Sequence, residues 1–225
     1  VLEYKDGVSF FGSSTGWESK VEMGKGRSMG IEFMAQKTLG KTTGWLSYTL
    51  SKSDRKFAKG AINNGERFPY KYDRRHNINL TLNHKFSERI DIGASWVFYT
   101  GGTSTIPEEK TTIIRPGNGA NNGFILGFDN YYNPIYNNSP NVGEANYIEH
   151  RNNYRLPASH RLNIGINFNK KTKHGMRIWN ISLYNAYNSM NPAWVFRSHN
   201  DDGKSVIKKY TLLPCIPSFT YTYKF

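Results

Sequence analysis

The sequence predicts an all-β chain whose strands run antiparallel, up and down, as part of a transmembrane β-barrel. Three observations carry that reading. Apolar residues recur at every second position in one segment after another, the period of a strand whose side chains alternate between two faces. The intervening positions are mostly Asn, Ser, Thr and Gly, a small, uncharged, polar face that suits an enclosed lumen better than open solvent. The segments are joined by alternately short and long connections, as in barrels with compact turns at one end and functional loops at the other.

Seven segments alternate clearly, and about eight strands are expected in all. Met29, Ile31, Phe33 and Ala35 oppose Ser28, Gly30, Glu32 and Gln36. Leu46, Tyr48 and Leu50 oppose Ser47, Thr49 and Ser51. Ile78, Leu80, Leu82 and Phe86 oppose Asn77, Asn79, Thr81, Asn83 and Lys85. Ile90, Ile92, Ala94, Trp96 and Phe98 oppose Asp91, Gly93 and Ser95. The cleanest case sets Leu162, Ile164, Ile166 and Phe168 against Arg161, Asn163, Gly165, Asn167 and Asn169. Trp179, Ile181 and Leu183 oppose Asn180, Ser182 and Tyr184. The chain closes on Phe219, Tyr221, Tyr223 and Phe225 against Thr220, Thr222 and Lys224. Residues 2–11 are the expected eighth strand, with poor alternation. The apolar positions, Ile78, Leu80, Leu82, Leu162, Ile164, Ile166 and Phe168 among them, are expected to face lipid.

Short connections are expected at 39–43, 87–89 and 170–175, and long ones at 52–72, 101–159 and 188–213. The connection 101–159 exceeds ordinary loop length. Its tyrosines, including Tyr131 and Tyr132, argue for an ordered outer loop with hairpin character. The aromatics Trp45, Tyr48, Trp96, Phe98, Trp179 and Tyr187 are expected in girdles at headgroup depth. In Arg75-His76 and His160-Arg161, a cationic pair precedes the alternation, at the outer rim near lipopolysaccharide phosphates.

Composition narrows the function. Among 225 residues, hydrophobic types make up 37% and aromatics 15%, and no apolar run approaches the roughly 18 residues of a membrane helix. The net charge of +13 raises nucleic acid as a partner. Lysines, however, are scattered over turns and loops, without the continuous basic and aromatic platform that nucleic acid requires, so no nucleic acid is expected. The single Cys215 excludes an intrachain disulfide and a multi-Cys metal site; it reads as an inert, packed thiol between prolines. The six His lack metal-ligand spacing. Asp201-Asp202-Gly203 reads as a hairpin turn, and Glu108-Glu109-Lys110 as a solvated loop face. Gly24-Lys25-Gly26 precedes a strand pattern, not the helix a phosphate loop needs. No catalytic group, metal or cofactor is therefore expected. Exposed aromatics of the long connections, Tyr131, Tyr132, Trp194 and Phe196, are the candidates to stack on a bound solute.

Several pieces, spread in order along the chain, resemble the C-terminal barrel strands of TonB-dependent outer-membrane receptors, particularly their Bacteroidetes branch. They are Gly30-Ile31-Glu32 with Gln36-Lys37 and Gly40-Lys41; Gly44-Trp45-Leu46-Ser47-Tyr48-Thr49-Leu50-Ser51; Tyr72-Asp73-Arg74-Arg75-His76-Asn77; Leu156-Pro157 before His160-Arg161-Leu162; Tyr184-Asn185-Ala186-Tyr187-Asn188 with Asn191-Pro192; and Leu213-Pro214 with Ile216-Pro217. The resemblance implies a barrel of about 22 strands in the bacterial outer membrane, of which residues 1–225 supply the C-terminal part. The plug domain and the earlier strands would lie outside them. It implies uptake of a scarce solute, energised by TonB acting through the plug. It also implies that the closing strand with Phe219, Tyr221, Tyr223 and Phe225 is read by the barrel-assembly machinery. The chain opens on Val1 without methionine and reads as a piece of a longer polypeptide. Two other readings stand beside this one: a self-contained eight-stranded outer-membrane barrel with a structural or adhesive role, and a soluble β-sandwich that binds a ligand such as carbohydrate.

Overall fold

A computed structural model describes residues 1–5, 16–115, 125–128, 134–136 and 141–225. They form two units, one from Val1–Ile106 with His150–Phe225 and one from Pro107–Glu149.

The larger unit is built on seven long strands: β1 (Lys25–Lys37), β2 (Thr42–Lys56), β3 (His76–Lys85), β4 (Ile90–Tyr99), β5 (Ser159–Thr172), β6 (Gly175–Tyr184) and β7 (Ile216–Lys224). Each is hydrogen-bonded to the next in sequence, so the spatial order equals the chain order. Every pairing is antiparallel. The two-residue strand Phe68–Pro69 adds to β2 at Asp54 and Arg55. Among the described residues the sheet does not close: β1 pairs with β2 alone and β7 with β6 alone. The described residues contain no α-helix, only two short 3-10 turns at Trp17–Lys20 and Ile62–Gly65.

The three short connections, residues 38–41, 86–89 and 173–174, fall at one end of the sheet, and the long ones, 57–75, 100–158 and 185–215, at the other. The strand expected over residues 2–11 does not join the sheet. Leu2–Tyr4 pairs instead with Val21–Met23, where three residues of weak alternation find a local partner; residues 6–11 lie outside those described. A separate hairpin, Pro192–His199 with Ser205–Thr211, turns at Asp201-Asp202-Gly203, where Gly203 supplies a φ of 75°.

The smaller unit consists of two antiparallel ladders, Glu109–Arg115 with Asn141–Tyr147 and Ile125–Phe128 with Pro134–Tyr136. The hairpin character expected within 101–159 is therefore present. Tyr131 and Tyr132 lie outside the described residues.

Strand register places the side chains. Residues directly opposite one another in an antiparallel pair share a face. Leu46, Leu80, Trp96 and Leu162 form one row across four strands. Leu82, Ala94, Ile164 and Leu183 form the next, and Ile92, Ile166, Ile181 and Phe219 the one after. Ile90, Phe168, Trp179 and Tyr221 end the apolar series. On the other face run Thr81, Ser95 and Asn163; then Asn83, Gly93, Gly165, Ser182 and Ser218; then Lys85, Asp91, Asn167, Asn180 and Thr220. Trp45 departs from expectation. It pairs with Thr81 on the polar face, one residue out of step with Leu46, and cannot join a girdle on the apolar face.

Candidate functional site

One strand of the sheet, β6, has inverted exposure on its two faces. In β6, Trp179 is 43% exposed, Ile181 51% and Leu183 39%, while the alternating Asn180, Ser182 and Tyr184 are half-buried. A water-soluble sheet buries its greasy side and wets its polar side. The fully buried apolar side chains among the described residues are Phe57, Ile62, Phe68 and Ile106, and all four lie in the long connections. Among the described residues, neither face of the seven-stranded sheet covers a dry core.

The apolar face ends in aromatic rings at both borders. Toward the long connections, Tyr48 stacks on His76, with its hydroxyl 2.9 Å from Nδ1. Trp96 stacks on Phe98 and donates its indole N–H to the Tyr187 hydroxyl at 3.2 Å, which also meets His160 Nδ1 at 2.8 Å. Toward the short turns, Trp179 packs against Tyr221 and Phe219, and His84 against Phe86. Ile90 and Phe98 bound this band in β4, eight residues apart, or about 26 Å along a strand. The arginines of the two rim pairs are not at this border. Arg75 binds Asp73, and Arg161 binds the Tyr184 hydroxyl with its guanidinium 4.3 Å above the Tyr184 ring.

The polar face is a hydrogen-bonded lattice. Asp91 accepts from Asn167 Nδ2 at 2.7 Å and from Asn169 Nδ2 at 2.6 Å. Asn180 in turn donates to Asn167 Oδ1 at 2.7 Å. Gly93 faces Gly165 across β4 and β5 and opens a groove of about 370 Å3, lined by Asn83, Ser95, Asn163 and Ser182. A methyl added at Gly165 would lie 3.3 Å from Ser182 Cβ, so larger side chains would begin to fill the groove.

Two polar knots hold the long connections. Asp73, 1% exposed, accepts from the Ser53 backbone N–H at 2.6 Å, Arg75 Nε at 3.0 Å and Arg155 Nη2 at 2.6 Å. Arg155 Nη1 also donates to the carbonyls of Asp73 and Gly101, at 2.7 and 2.9 Å. Burial pushes the Asp73 carboxyl up, but the Ser53 N–H and the two arginines outweigh it and hold the group below the usual carboxylate range. Asn63 and Arg151 exchange side-chain and backbone hydrogen bonds, and Asn152 Nδ2 donates to the Pro69 carbonyl at 2.8 Å. Phe57, Ile62 and Phe68 of the connection 57–75 form a small buried cluster.

The second knot is Asn185, also 1% exposed. Its amide nitrogen donates to the carbonyls of Ser189 and Leu213 at 3.0 and 3.1 Å, and its oxygen accepts from the Ser189 N–H at 2.8 Å. Asn185 and Asn188 have φ of 54° and 51°, the left-handed region that Asn tolerates better than most residues. Asn188 Oδ1 receives the N–H of Cys215 at 3.0 Å.

Trp194 and Phe196 lie on one face of the Pro192–Thr211 hairpin, together with Tyr210, which sequence reading missed. Ring centroids are 4.7 Å apart for Trp194 and Tyr210, and 5.0 Å for Phe196 and Tyr210. Trp194 and Tyr210 are half exposed, a platform on which a flat or sugar-like solute can stack. Tyr210 sits in a lysine-rich segment without clear alternation, so only strand pairing reveals it.

No protein-family model, curated protein or solved structure matches this chain.

Proposed function

We propose that the chain forms part of the barrel of a bacterial outer-membrane receptor of the TonB-dependent kind, which captures a scarce solute and passes it inward. The solute class, whether chelated metal, vitamin, glycan or peptide, is open. The observation that carries the reading is the inverted exposure of β6, where Trp179, Ile181 and Leu183 are exposed and Asn180 and Ser182 are sheltered. Strands tolerate that arrangement when hydrocarbon covers the apolar side and every backbone group is paired. The aromatic borders and the one-ended short turns support the same reading. Among the described residues β1 and β7 each keep an unpaired edge, which favours a segment of a larger barrel over a self-contained eight-stranded one. Among the described residues no dry core underlies the sheet, which disfavours the soluble sandwich. The sheet holds the knotted connections and the Trp194 platform; the polar face lines the passage. None of these roles calls for turnover of substrate, and the reading is of a transporter rather than an enzyme.

Fractionation of cells expressing the intact polypeptide tests the membrane part: it should resist carbonate extraction and travel with outer membranes. Recovery as a detergent-independent monomer would overturn it. Uptake of radiolabelled solutes that collapses without TonB tests the transport part; uptake unchanged by TonB loss would remove it.

A further inference from the structure

At the short-turn end of the apolar face, Lys170 of β5 lies directly opposite Arg177 of β6. Like charges facing each other across an antiparallel pair repel and weaken the sheet unless something neutralises them. Both side chains are exposed, and with Arg89 they border a groove of about 780 Å3. The acidic residue of that groove, Glu88, is already taken by Lys85 at 2.8 Å. No described carboxylate forms an ion pair with Arg89, Lys170 or Arg177. The apolar floor of the groove is Ile90, Phe168 and Trp179, which form the adjoining row; Asn169 and Lys171 complete the lining, and Tyr223 continues the Lys170–Arg177 row.

We propose that this groove holds the phosphate of an anionic glycerophospholipid in the leaflet nearest the short turns. The proposal rests on the membrane reading above. A guanidinium meets phosphate oxygens in bidentate fashion, and an ammonium adds a point charge. Basic pockets at the edge of a hydrocarbon band select anionic headgroups in this way, and Trp at headgroup depth fits the same boundary. The acyl chains follow the apolar rows toward Ile166 and Ile181. A free phosphate ion would satisfy the cations and leave that floor unused, which is why a lipid is the occupant.

Trp179, inside the groove, is the reporter. The intact polypeptide is reconstituted in phosphatidylcholine vesicles that carry brominated phosphatidylglycerol or brominated phosphatidylcholine. Its emission is obtained by difference against Trp179→Phe. Brominated phosphatidylglycerol is expected to quench at lower mole fraction than brominated phosphatidylcholine. Lys170→Gln and Arg177→Gln should each cut that preference about five-fold, while Lys59→Gln, an exposed cation of a long connection, leaves it unchanged. Equal quenching by both lipids, unaltered by the variants, overturns the lipid site and leaves the membrane reading standing. Absence of quenching by either lipid overturns the membrane reading. Loss of the preference on adding inorganic phosphate reassigns the cations to a free anion and likewise overturns the lipid.

Discussion

Arg155 Nη2 lies 2.6 Å from Asp73 Oδ2, so one charged contact joins two long connections that are 82 residues apart in sequence. The carboxylate side chain has no solvent exposure, while the guanidinium keeps 34%. Replacing Arg155 by Met leaves a buried charge with the Ser53 N–H and Arg75 as its remaining support. The cost should be about 2–3 kcal/mol, concentrated in the connections rather than the sheet. Limited proteolysis should cut within residues 57–75 at a much higher rate, with strand content by circular dichroism unchanged. Unchanged cleavage would show that the contact does not hold the connections.

The same carboxyl makes the knot sensitive to acid. Its folded pKa lies below its unfolded value, so its contribution is fully present above the unfolded value of about 4 and fades as pH falls through the folded one. Protease sensitivity of residues 57–75 should therefore rise below about pH 4. Asp73→Asn should flatten that pH profile while raising the sensitivity at neutral pH.

Leu80 and Ile164 sit in the middle rows of the apolar face and Asn79 on the opposite one. In a bilayer, Leu80→Arg or Ile164→Arg should cost about 2–4 kcal/mol and Asn79→Arg far less. Urea titration of folding into lipid vesicles measures the difference. Equal costs on the two faces would refute the assignment of the apolar face to lipid.

Asn185 serves both as a three-way hydrogen-bond bridge and as a left-handed residue. Asn185→Ala should lose on both counts, about 2–4 kcal/mol. Asn185→Gly keeps the backbone conformation and should cost less. If the two variants unfold at the same urea concentration, backbone conformation is not part of the role.

Trp194 and Tyr210 should quench on solute binding if the hairpin is a stacking platform. Trp194→Ala or Tyr210→Ala should then weaken binding about three- to ten-fold. Fluorescence titration with candidate solutes reads this, and full affinity in both variants would place recognition elsewhere.

The sheet was legible because alternation is a local property: Leu162 to Phe168 declares its face without reference to any neighbour. Strand order followed from connection length. What sequence reading missed depends on distant partners. Trp45 looked like a girdle residue by type, and only its register with Thr81 moved it to the other face. The motif around Tyr72-Asp73-Arg74-Arg75 was recognised as a resemblance, but its physical role lies with Ser53 and Arg155, which no spacing rule links. Asn185 entered only as part of a resembling motif, and its burial is not written in composition. Lys170 counted only as one of the short-turn lysines, and pairing alone sets it face to face with Arg177.

Among the described residues, the outermost strands, β1 and β7, run for 13 and 9 residues with one flank each of unbonded peptide groups. Lodged in hydrocarbon, such a flank costs several kcal/mol for each orphaned group, a total that outruns the 5–15 kcal/mol by which a typical domain is stable. On the membrane reading proposed above, the segment could not enter a bilayer alone and wait for company. On that reading its flanks would be zipped to other strands before or during entry, which would make insertion a concerted event, with the seam beside β7 a natural point for final closure.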